Sequence, residues 1–281
     1  MTHHDAGSAV TLVLGGSGKT GRRVAERLSA RGRKVRIGAR SAVPAFDWDD
    51  DRSWDACLDG VAAAYITYAP DLAMPGATDA IQRFVDLARQ RGVERLVLLS
   101  GRGEEEAQAC ERIVQGSGLA WTIVRASWFN QNFSEGAFVD MVLNGAITLP
   151  AGEQLEPFVD VDDIADVVVA AFSEDRHIGE IYEVTGPRLM TIADVAADLS
   201  RATGRKIDYV DVPHDGFVAE VSASGAPADV VWMLDYLFST VLDGRNSSLM
   251  DGIQRALGRE PRDFLDYARR AAETGVWEVA E

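Results

Sequence analysis

Three glycines near the N-terminus have the spacing of a phosphate-binding loop. They are Gly15, Gly18 and Gly21, with Ser17, Lys19 and Thr20 between them. Glycines permit the tight turn, and a Cβ atom would block the approach of a pyrophosphate. Backbone N–H groups and the positive end of a following helix would then face the phosphates. The competing interpretation is a merely tight turn between a strand and a helix.

The residues on either side supply the elements that such a loop needs. Residues 10–14 predict a buried strand, and residues 22–30 predict an amphipathic helix. Further strands are predicted at 34–38, 45–46, 62–67, 95–100, 121–124 and 181–184, with helices at 53–58, 77–91 and 104–115. This alternation predicts an α/β fold built on a Rossmann-type, doubly wound parallel sheet.

The second half of the chain is mainly helical in pattern. Helices are predicted at 130–143, 162–172, 192–202 and 263–274, and a strand at 207–212. A capping box at 191–194 is predicted to open the helix at 192–202. The acidic run 159–163 is expected to cap and charge the start of its helix. We expect residues 1–127 to form a nucleotide-binding domain whose sheet is completed by segments within 156–186. Residues 128–281 are expected to form a smaller substrate-binding lobe interleaved with that sheet.

Composition excludes several classes of function. The net charge of −16 argues against nucleic acid as a partner, because phosphates require a basic face. No stretch is long and apolar enough to span a membrane, and the polar residues 1–8 predict no signal peptide. Cys57 and Cys110 form neither a disulfide framework nor a metal spacing, and neither do His177 and His214. We therefore expect a cytoplasmic protein without a metal.

Positive charge is concentrated at the start of this acidic chain. Residues 1–40 contain nine lysines or arginines and two acidic residues. Arg27 and Arg31 are expected on a solvated helix face, whereas Lys19 and Arg40 stand at the ends of loops. A positive pocket in an acidic body suits a small polyanionic ligand.

The end of the second predicted strand indicates which dinucleotide binds. A carboxylate there would hold the ribose 2′-OH of NAD. The strand ends at Gly38, Arg40 follows, and the next carboxylate is Asp47. A guanidinium forks onto a 2′-phosphate, so the sequence predicts NADP(H). Asp47 and Trp48 are expected beside the adenine, with packing of Trp48 beneath Trp54 as the open alternative.

Several further segments together carry a family pattern: 15–21, 38–41, 46–48, 99–100, 118–125, 128–133 and 159–165. They resemble the atypical short-chain dehydrogenase/reductases of the NmrA-like group. Residues 256–262 and 275–277 are similar to a subgroup containing the ergot-alkaloid reductases of the festuclavine and agroclavine dehydrogenase type. The resemblance covers nearly the whole chain. It implies an NADPH-binding domain, a small substrate lobe and reduction of a quinone, imine or activated alkene, although the group also includes non-catalytic redox sensors.

The sequence departs from ordinary short-chain dehydrogenases at the proton donor. Those enzymes use a Tyr-x-x-x-Lys pair, and none of the six tyrosines here has a lysine four residues later. Ala107 and Glu111 stand at the matching positions. Quinones and iminium ions are already electron-poor and need little proton donation before hydride arrives. We therefore expect an NADPH-dependent reductase of such small molecules, with a cofactor-binding sensor or a non-redox isomerase or cyclase as alternatives.

Site residues are expected at the carboxyl ends of the strands. Tyr68 and Ala69 follow one strand, and Ser100 and Gly101 follow the next. All four are candidate cofactor contacts, and Tyr68 and Ser100 are also candidate catalytic residues. Tyr68 is otherwise an exposed loop residue, and Ser100 otherwise caps the next helix.

The substrate pocket is expected after the strand at 121–124. Trp128, Phe129 and Asn130 are its candidate lining residues, although at least one of the two aromatic residues is expected to be core. Glu111 is a candidate general acid, or is paired with Arg112 or Arg125. His214 is expected in a surface loop rather than in the pocket. The helical C-terminal third is compatible with a homodimer.

Overall fold

The computed structural model describes residues 9–279, so the polar segment 1–8 lies outside the described residues. The strands are β1 (Val10–Leu14), β2 (Lys34–Gly38), β3 (Val61–Ile66), β4 (Arg95–Gly101), β5 (Ala120–Ala126), β6 (Ala146–Leu149), β7 (Glu180–Val184) and β8 (Asp208–Asp211). The helices are α1 (Lys19–Ala30), α2 (Trp54–Leu58), α3 (Ala77–Gln90), α4 (Glu105–Gln115), α5 (Val139–Leu143), α6 (Val161–Ser173), α7 (Ile192–Thr203), α8 (His214–Ala223), α9 (Ala228–Tyr236), α10 (Gly252–Leu257) and α11 (Phe264–Glu273). Short 3₁₀ turns occupy Asp51–Ser53, Asn130–Phe133 and Asp175–His177, and a π turn occupies Leu237–Val241.

The described chain divides into two compact units. The first contains the residues up to Ala126, Val161–Val184 and Asp251–Arg259, and the second contains Ser127–Asp160, Thr185–Met250 and the residues from Glu260 on. The segment Asp251–Arg259, expected in the second lobe, belongs to the first unit. Its helix α10 packs against β7 and α6, and a Cβ on Gly252 would lie 2.1 Å from the Glu183 carbonyl oxygen.

The first unit is built on a six-stranded parallel sheet in the order β2-β1-β3-β4-β5-β7. This confirms the predicted doubly wound fold. The chain winds outward in one direction through β2 and in the other through β3, so the switch point lies between β1 and β3. Ligands of such sheets bind beyond the carboxyl ends of the strands at that point.

The predicted strand at 45–46 is wrong. The Phe46 N–H donates to the Ala39 carbonyl at 3.0 Å, so the backbone closes a loop onto itself instead of extending the sheet. The Phe46 ring is buried and stacks on Trp54 at 5.9 Å. Burial in this aromatic cluster therefore explains the apolar pattern that suggested a strand.

Arg27, expected on a solvated face, is partly buried against α6, whereas Arg31 is exposed as expected. Arg27 donates to Asp162 at 2.5 Å and to Asp166 at 3.0 Å. The neighbouring Asp163 is fully buried and paired with Arg259 at 2.6 Å. Residues of the acidic run thus pair with arginines, and Asp162 and Asp163 also lie in the first turn of α6, as expected; Arg27 is structural.

The second unit contains an aromatic core and a separate two-stranded parallel sheet of β6 and β8. Strand β6 was not predicted. The predicted helix at 130–143 is replaced by a 3₁₀ turn and the short α5, because the Asn130 N–H bonds to the Val159 carbonyl at 2.9 Å and anchors the turn outside any helix. The Trp277 indole N–H donates to the Phe133 carbonyl at 2.8 Å, which fixes the C-terminal segment to this core.

Helix α7 begins at the predicted capping box. The Asp194 N–H donates to the Thr191 hydroxyl at 3.1 Å, and the Thr191 N–H donates to the Asp194 carboxylate at 2.9 Å.

Within residues 9–279, no helix is both long enough and apolar enough to cross a membrane.

Candidate active site

The glycine loop connects β1 to α1 directly, at the switch point of the sheet. Gly15 adopts φ +60°, and the Gly18 N–H donates to its carbonyl at 2.8 Å. A Cβ on Gly21 would lie 2.2 Å from that same oxygen, so no other residue fits there without moving the loop. The helix begins at Lys19, three residues earlier than its apolar pattern indicated.

The loop leaves the positive end of α1 open to an anion. The N-cap Gly18 provides no side-chain hydrogen bond, and the first turn carries no acidic residue. Gly15, Ser17 and Gly18 are exposed, whereas Thr20 and Gly21 are buried beneath them. A small, glycine-lined cradle at a helix N-terminus fits a pyrophosphate.

Arg40 is an exposed cation just beyond β2. It makes no hydrogen bond or ion pair with the residues described, in contrast to Arg36, whose guanidinium donates to two backbone carbonyls. Arg40 is therefore available to an external anion. The nearest following carboxylate in the chain, Asp47, accepts the Asp49 N–H at 3.2 Å and thereby shapes its own turn.

Trp48 packs into the aromatic cluster, as one of the two expectations for it proposed. Its ring contacts Trp54 edge-on at 5.5 Å and Tyr68 at 5.0 Å. The indole N–H donates to the Thr67 carbonyl at 3.0 Å. The ring is nevertheless only half-buried, so contact with an adenine remains a prediction.

Tyr68 and Ala69 follow β3 on the surface loop. Tyr68 is half-buried, and burial, followed by the nearby Asp49 carboxylate, raises the pKa of its phenol. Its hydroxyl makes no hydrogen bond within residues 9–279. A phenol that stays protonated can donate a hydrogen bond but does not act as a base at neutral pH.

Ser100 lies at the end of β4 in a buried polar network. Its hydroxyl donates to Glu111 at 2.6 Å, so it does not cap α4, whose N-cap is Glu104. Arg125 holds the same Glu111 carboxylate in a fork at 2.5 Å and 2.9 Å. It also donates to Glu183 at 2.6 Å.

This network contains Glu111, one of the two residues that the resemblance places at the positions of the tyrosine–lysine pair. Glu111 is 2% exposed and fully engaged, and the pairing with Arg125 was one of the predicted alternatives. Hydrogen bonding to Glu111 raises the pKa of Arg125 further, so the guanidinium stays charged. A carboxylate held in this way is a poor general acid.

A second carboxyl group near the same strand ends was missed. Glu104 follows β4 and is 5% exposed, and its partner Asp71 lies on the loop after β3. The signal in the sequence was two acidic residues shortly after neighbouring strands. No spacing rule joins them, because 32 intervening residues separate them along the chain.

The predicted pocket residues lie in the second unit. Trp128 and Phe129 are both half-buried; Trp128 contacts Phe238 at 5.3 Å. Asn130 is fully buried, and neither atom of its side-chain amide has a hydrogen-bond partner among the described residues; the same holds for the Ser127 hydroxyl. Such groups require water or a ligand.

His214 lies at the start of α8 rather than in a loop. Its ring nitrogen faces the Asp235 carboxylate of α9 at 3.1 Å. Within residues 9–279 no group of three side chains is arranged to hold a metal ion.

The chain is similar in sequence and in fold to known proteins. A family model described as NAD(P)H-binding matches residues 15–175. Agroclavine dehydrogenase of Claviceps fusiformis is 32% identical over 95% of this chain and 98% of its own. The NADPH-dependent quinone oxidoreductase of Escherichia coli, solved with NADPH, shares the fold with a TM-score of 0.74 and 18% identity over 93% of this chain and 99% of its own.

A third similar structure is Nmra, described as a negative transcriptional regulator in complex with NAD. It superposes with a TM-score of 0.69 at 16% identity, covering 95% of this chain and 98% of its own. The two solved structures show only a shared fold, because their sequence identity to this chain is low. The family model and the dehydrogenase relative show family membership. The chain belongs to the NAD(P)H-binding family, and its relatives there make it an NAD(P)H-dependent oxidoreductase.

Proposed function

We propose that this chain reduces a small electron-poor molecule, a quinone, an iminium ion or an activated alkene, with NADPH as the hydride donor. The observation that carries the proposal is the Glu111–Arg125–Ser100 network. It replaces the tyrosine–lysine pair with a locked carboxylate, so reduction of an ordinary ketone lacks its usual proton donor. The substrates left as candidates are electron-poor acceptors, which take up hydride without being protonated first.

Arg40 supports NADPH over NADH. Its unpaired guanidinium lies after β2, where NAD-specific sheets carry an acidic residue. We assign the glycine loop and the open end of α1 to the pyrophosphate, Arg40 to the 2′-phosphate, and Asp47 and Trp48 to the adenine. Tyr68, Ala69, Ser100 and Gly101 are assigned to the nicotinamide end.

The bound cofactor would supply the hydride, and the protein would supply position. Gly15–Gly21 would hold the phosphates, and Ser100, fixed by Glu111, would present its hydroxyl oxygen to the ribose. Tyr68 would donate a hydrogen bond from its protonated phenol. In the second unit, the buried side-chain polar atoms of Ser127 and Asn130 would form hydrogen bonds with a ligand. Trp128 and Phe129 lie next to them in the sequence.

The test is turnover with a panel of acceptors. NADPH oxidation should be measured by absorbance with a quinone, a cyclic iminium salt, an enone and a simple ketone. We expect the first three to be reduced and the simple ketone not. Reduction of the ketone at a comparable kcat/KM would contradict the role given to the Glu111 network.

A cofactor-binding regulator is the second candidate. The observation that favours it is the same locked carboxylate at the proton-donor position, together with the shared fold of Nmra. NADPH binding by fluorescence titration without turnover of any acceptor would establish it in place of the reductase.

A further inference from the structure

A buried and a half-exposed carboxyl group lie close together at the carboxyl edge of the sheet. β3 and β4 are parallel neighbours, with Ile66 beside Leu98, so the loops that follow them meet. Asp71 lies on the first loop and Glu104 on the second. The side chains of Asp71 and Glu104 are close enough for hydrogen bonding between them to contribute to the pKa of each.

The packing shows that this arrangement is built into the fold. A Cβ on Gly101 would lie 2.2 Å from one oxygen of the Glu104 carboxyl group and 2.3 Å from the other, so a side chain there would displace this carboxyl group. The Asp71 carboxylate accepts the Ala73 N–H at 2.8 Å, which fixes its orientation. Glu104 is 5% exposed, and its Oε2 atom has no donor among the described residues.

Two carboxyl groups can be hydrogen bonded only if one of them carries a proton. The titratable groups that surround Glu104 are acidic or neutral: Asp71 from the β3 loop and Glu106, Cys110 and Glu111 from α4. Burial, followed by the Asp71 carboxylate, raises the pKa of Glu104 to about 9. The pair therefore holds one proton at neutral pH, as paired carboxyl groups in other sites do.

We propose that the Asp71–Glu104 pair is the proton source of the reduction, with Glu104 storing the proton and the half-exposed Asp71 delivering it. This inference rests on the proposed function. It places the pair beside Gly101, at the nicotinamide end of the assigned cofactor site.

The step balances for a quinone or an enone. Hydride addition brings two electrons and one hydrogen to the acceptor and leaves an anion on it. The O–H bond in the carboxyl pair then breaks, and its proton goes to that anion. The pair is left with both carboxylates ionised and regains a proton from water. An iminium ion needs no proton, because hydride addition gives the neutral amine directly.

This difference defines the experiment. Glu104→Gln keeps the shape and a hydrogen-bond donor but cannot release a proton, and Glu105→Gln, one residue along on the exposed start of α4, is the matched control. For Glu104→Gln we expect a fall in kcat for quinone and enone reduction of about 10²–10⁴-fold, typical of a lost general acid. Iminium reduction and the Kd for NADPH should stay unchanged, as should all rates of the control.

The pH profile provides a second readout. Since the acid form delivers the proton, quinone reduction by the unmodified chain should decline as pH rises through about 9. Iminium reduction should not follow that profile. Equal losses for both acceptors in Glu104→Gln, or no loss for either, would overturn the proposal. If this variant fails to fold, Asp71→Asn is measured in the same way.

Infrared spectroscopy separates the proton store from the reductase. At neutral pH the unmodified chain should show a protonated-carboxyl band that is absent from Glu104→Gln. A missing band overturns the proposal whatever the turnover. Bound NADPH without turnover of any acceptor would refute the reductase and with it the delivery step, while the band would still report the shared proton.

Discussion

Replacing Arg40 with aspartate should change which dinucleotide the chain prefers. Arg40 is exposed and has no protein partner among the described residues, so its replacement should cost the fold little. Its proposed ligand, the 2′-phosphate, is present in NADPH and absent from NADH. The substitution therefore acts on only one of the two cofactors.

The magnitude follows from the exposure of the guanidinium. A hydrogen bond to a charged group contributes about 1.5–3 kcal/mol, and about 1.4 kcal/mol corresponds to a factor of ten. Loss of the arginine alone should then weaken NADPH binding about 10- to 100-fold. The new carboxylate adds repulsion, so Arg40→Asp should lie at or above the upper end. Because the site is open to solvent, the difference should shrink at high salt.

Fluorescence titration of both cofactors at low and high salt measures this effect. Arg31→Asp makes the same charge change at the other end of α1, on an exposed side chain, and serves as the control. We expect NADH binding within about threefold of the unmodified chain for both variants, well below the tenfold that about 1.4 kcal/mol would produce. Equal weakening of NADPH and NADH by Arg40→Asp would refute the assignment of the 2′-phosphate.

Four further experiments test the framework around the site. Arg125→Met leaves the Glu111 carboxylate buried without its cation and should lower the free energy of unfolding by about 3 kcal/mol in urea titration, whereas adding Glu111→Leu should recover most of it. Gly21→Ala places a Cβ 2.2 Å from a backbone oxygen of the phosphate loop and should weaken NADPH binding at least about tenfold, with a normal circular dichroism spectrum. Trp277→Ala removes a ring that is 3% exposed and should cost about 3–5 kcal/mol, seen as a lower urea midpoint; an unchanged midpoint would contradict its place in the core. Because the folded chain holds a proton on Glu104 up to about pH 9 that an unfolded glutamate releases near pH 4, stability should fall as pH rises across that interval, and Glu104→Gln should flatten the decline.

Local signals predicted the elements of the first unit well, because each element there is set by its own pattern. The β-branched run at 10–14 and the glycine spacing after it depend on residues close in sequence, and both appear in the structure as expected. The capping box at Thr191 is equally local and was confirmed. The predicted strand at 45–46 was wrong because Phe46 is buried in a cluster of aromatic residues that are distant in sequence. A local apolar pattern cannot distinguish such burial from burial in a strand.

Side-chain pairing across the sheet was beyond the reach of the sequence. Arg125 was named as one of two partners for Glu111, and only the register of β4 and β5 decided between them, with Ser100 beside Arg125. Asp71 and Glu104 are far apart in the chain. They come close together because each follows one of two neighbouring strands, β3 and β4.

The sequence alone determined three features of the site. They are the glycine loop, an arginine in place of an acidic residue after β2, and the lack of a Tyr-x-x-x-Lys pair. Each is a matter of residue type at short spacing, so no folding is needed to recognise it. The tertiary structure decided which charges are neutralised and which are left open. Arg27 pairs with aspartates of α6, Glu111 pairs with Arg125, and Arg40 has no ion-pair partner among the described residues. Burial and strand order set those outcomes, because the free energy of a charge depends on what folding places beside it.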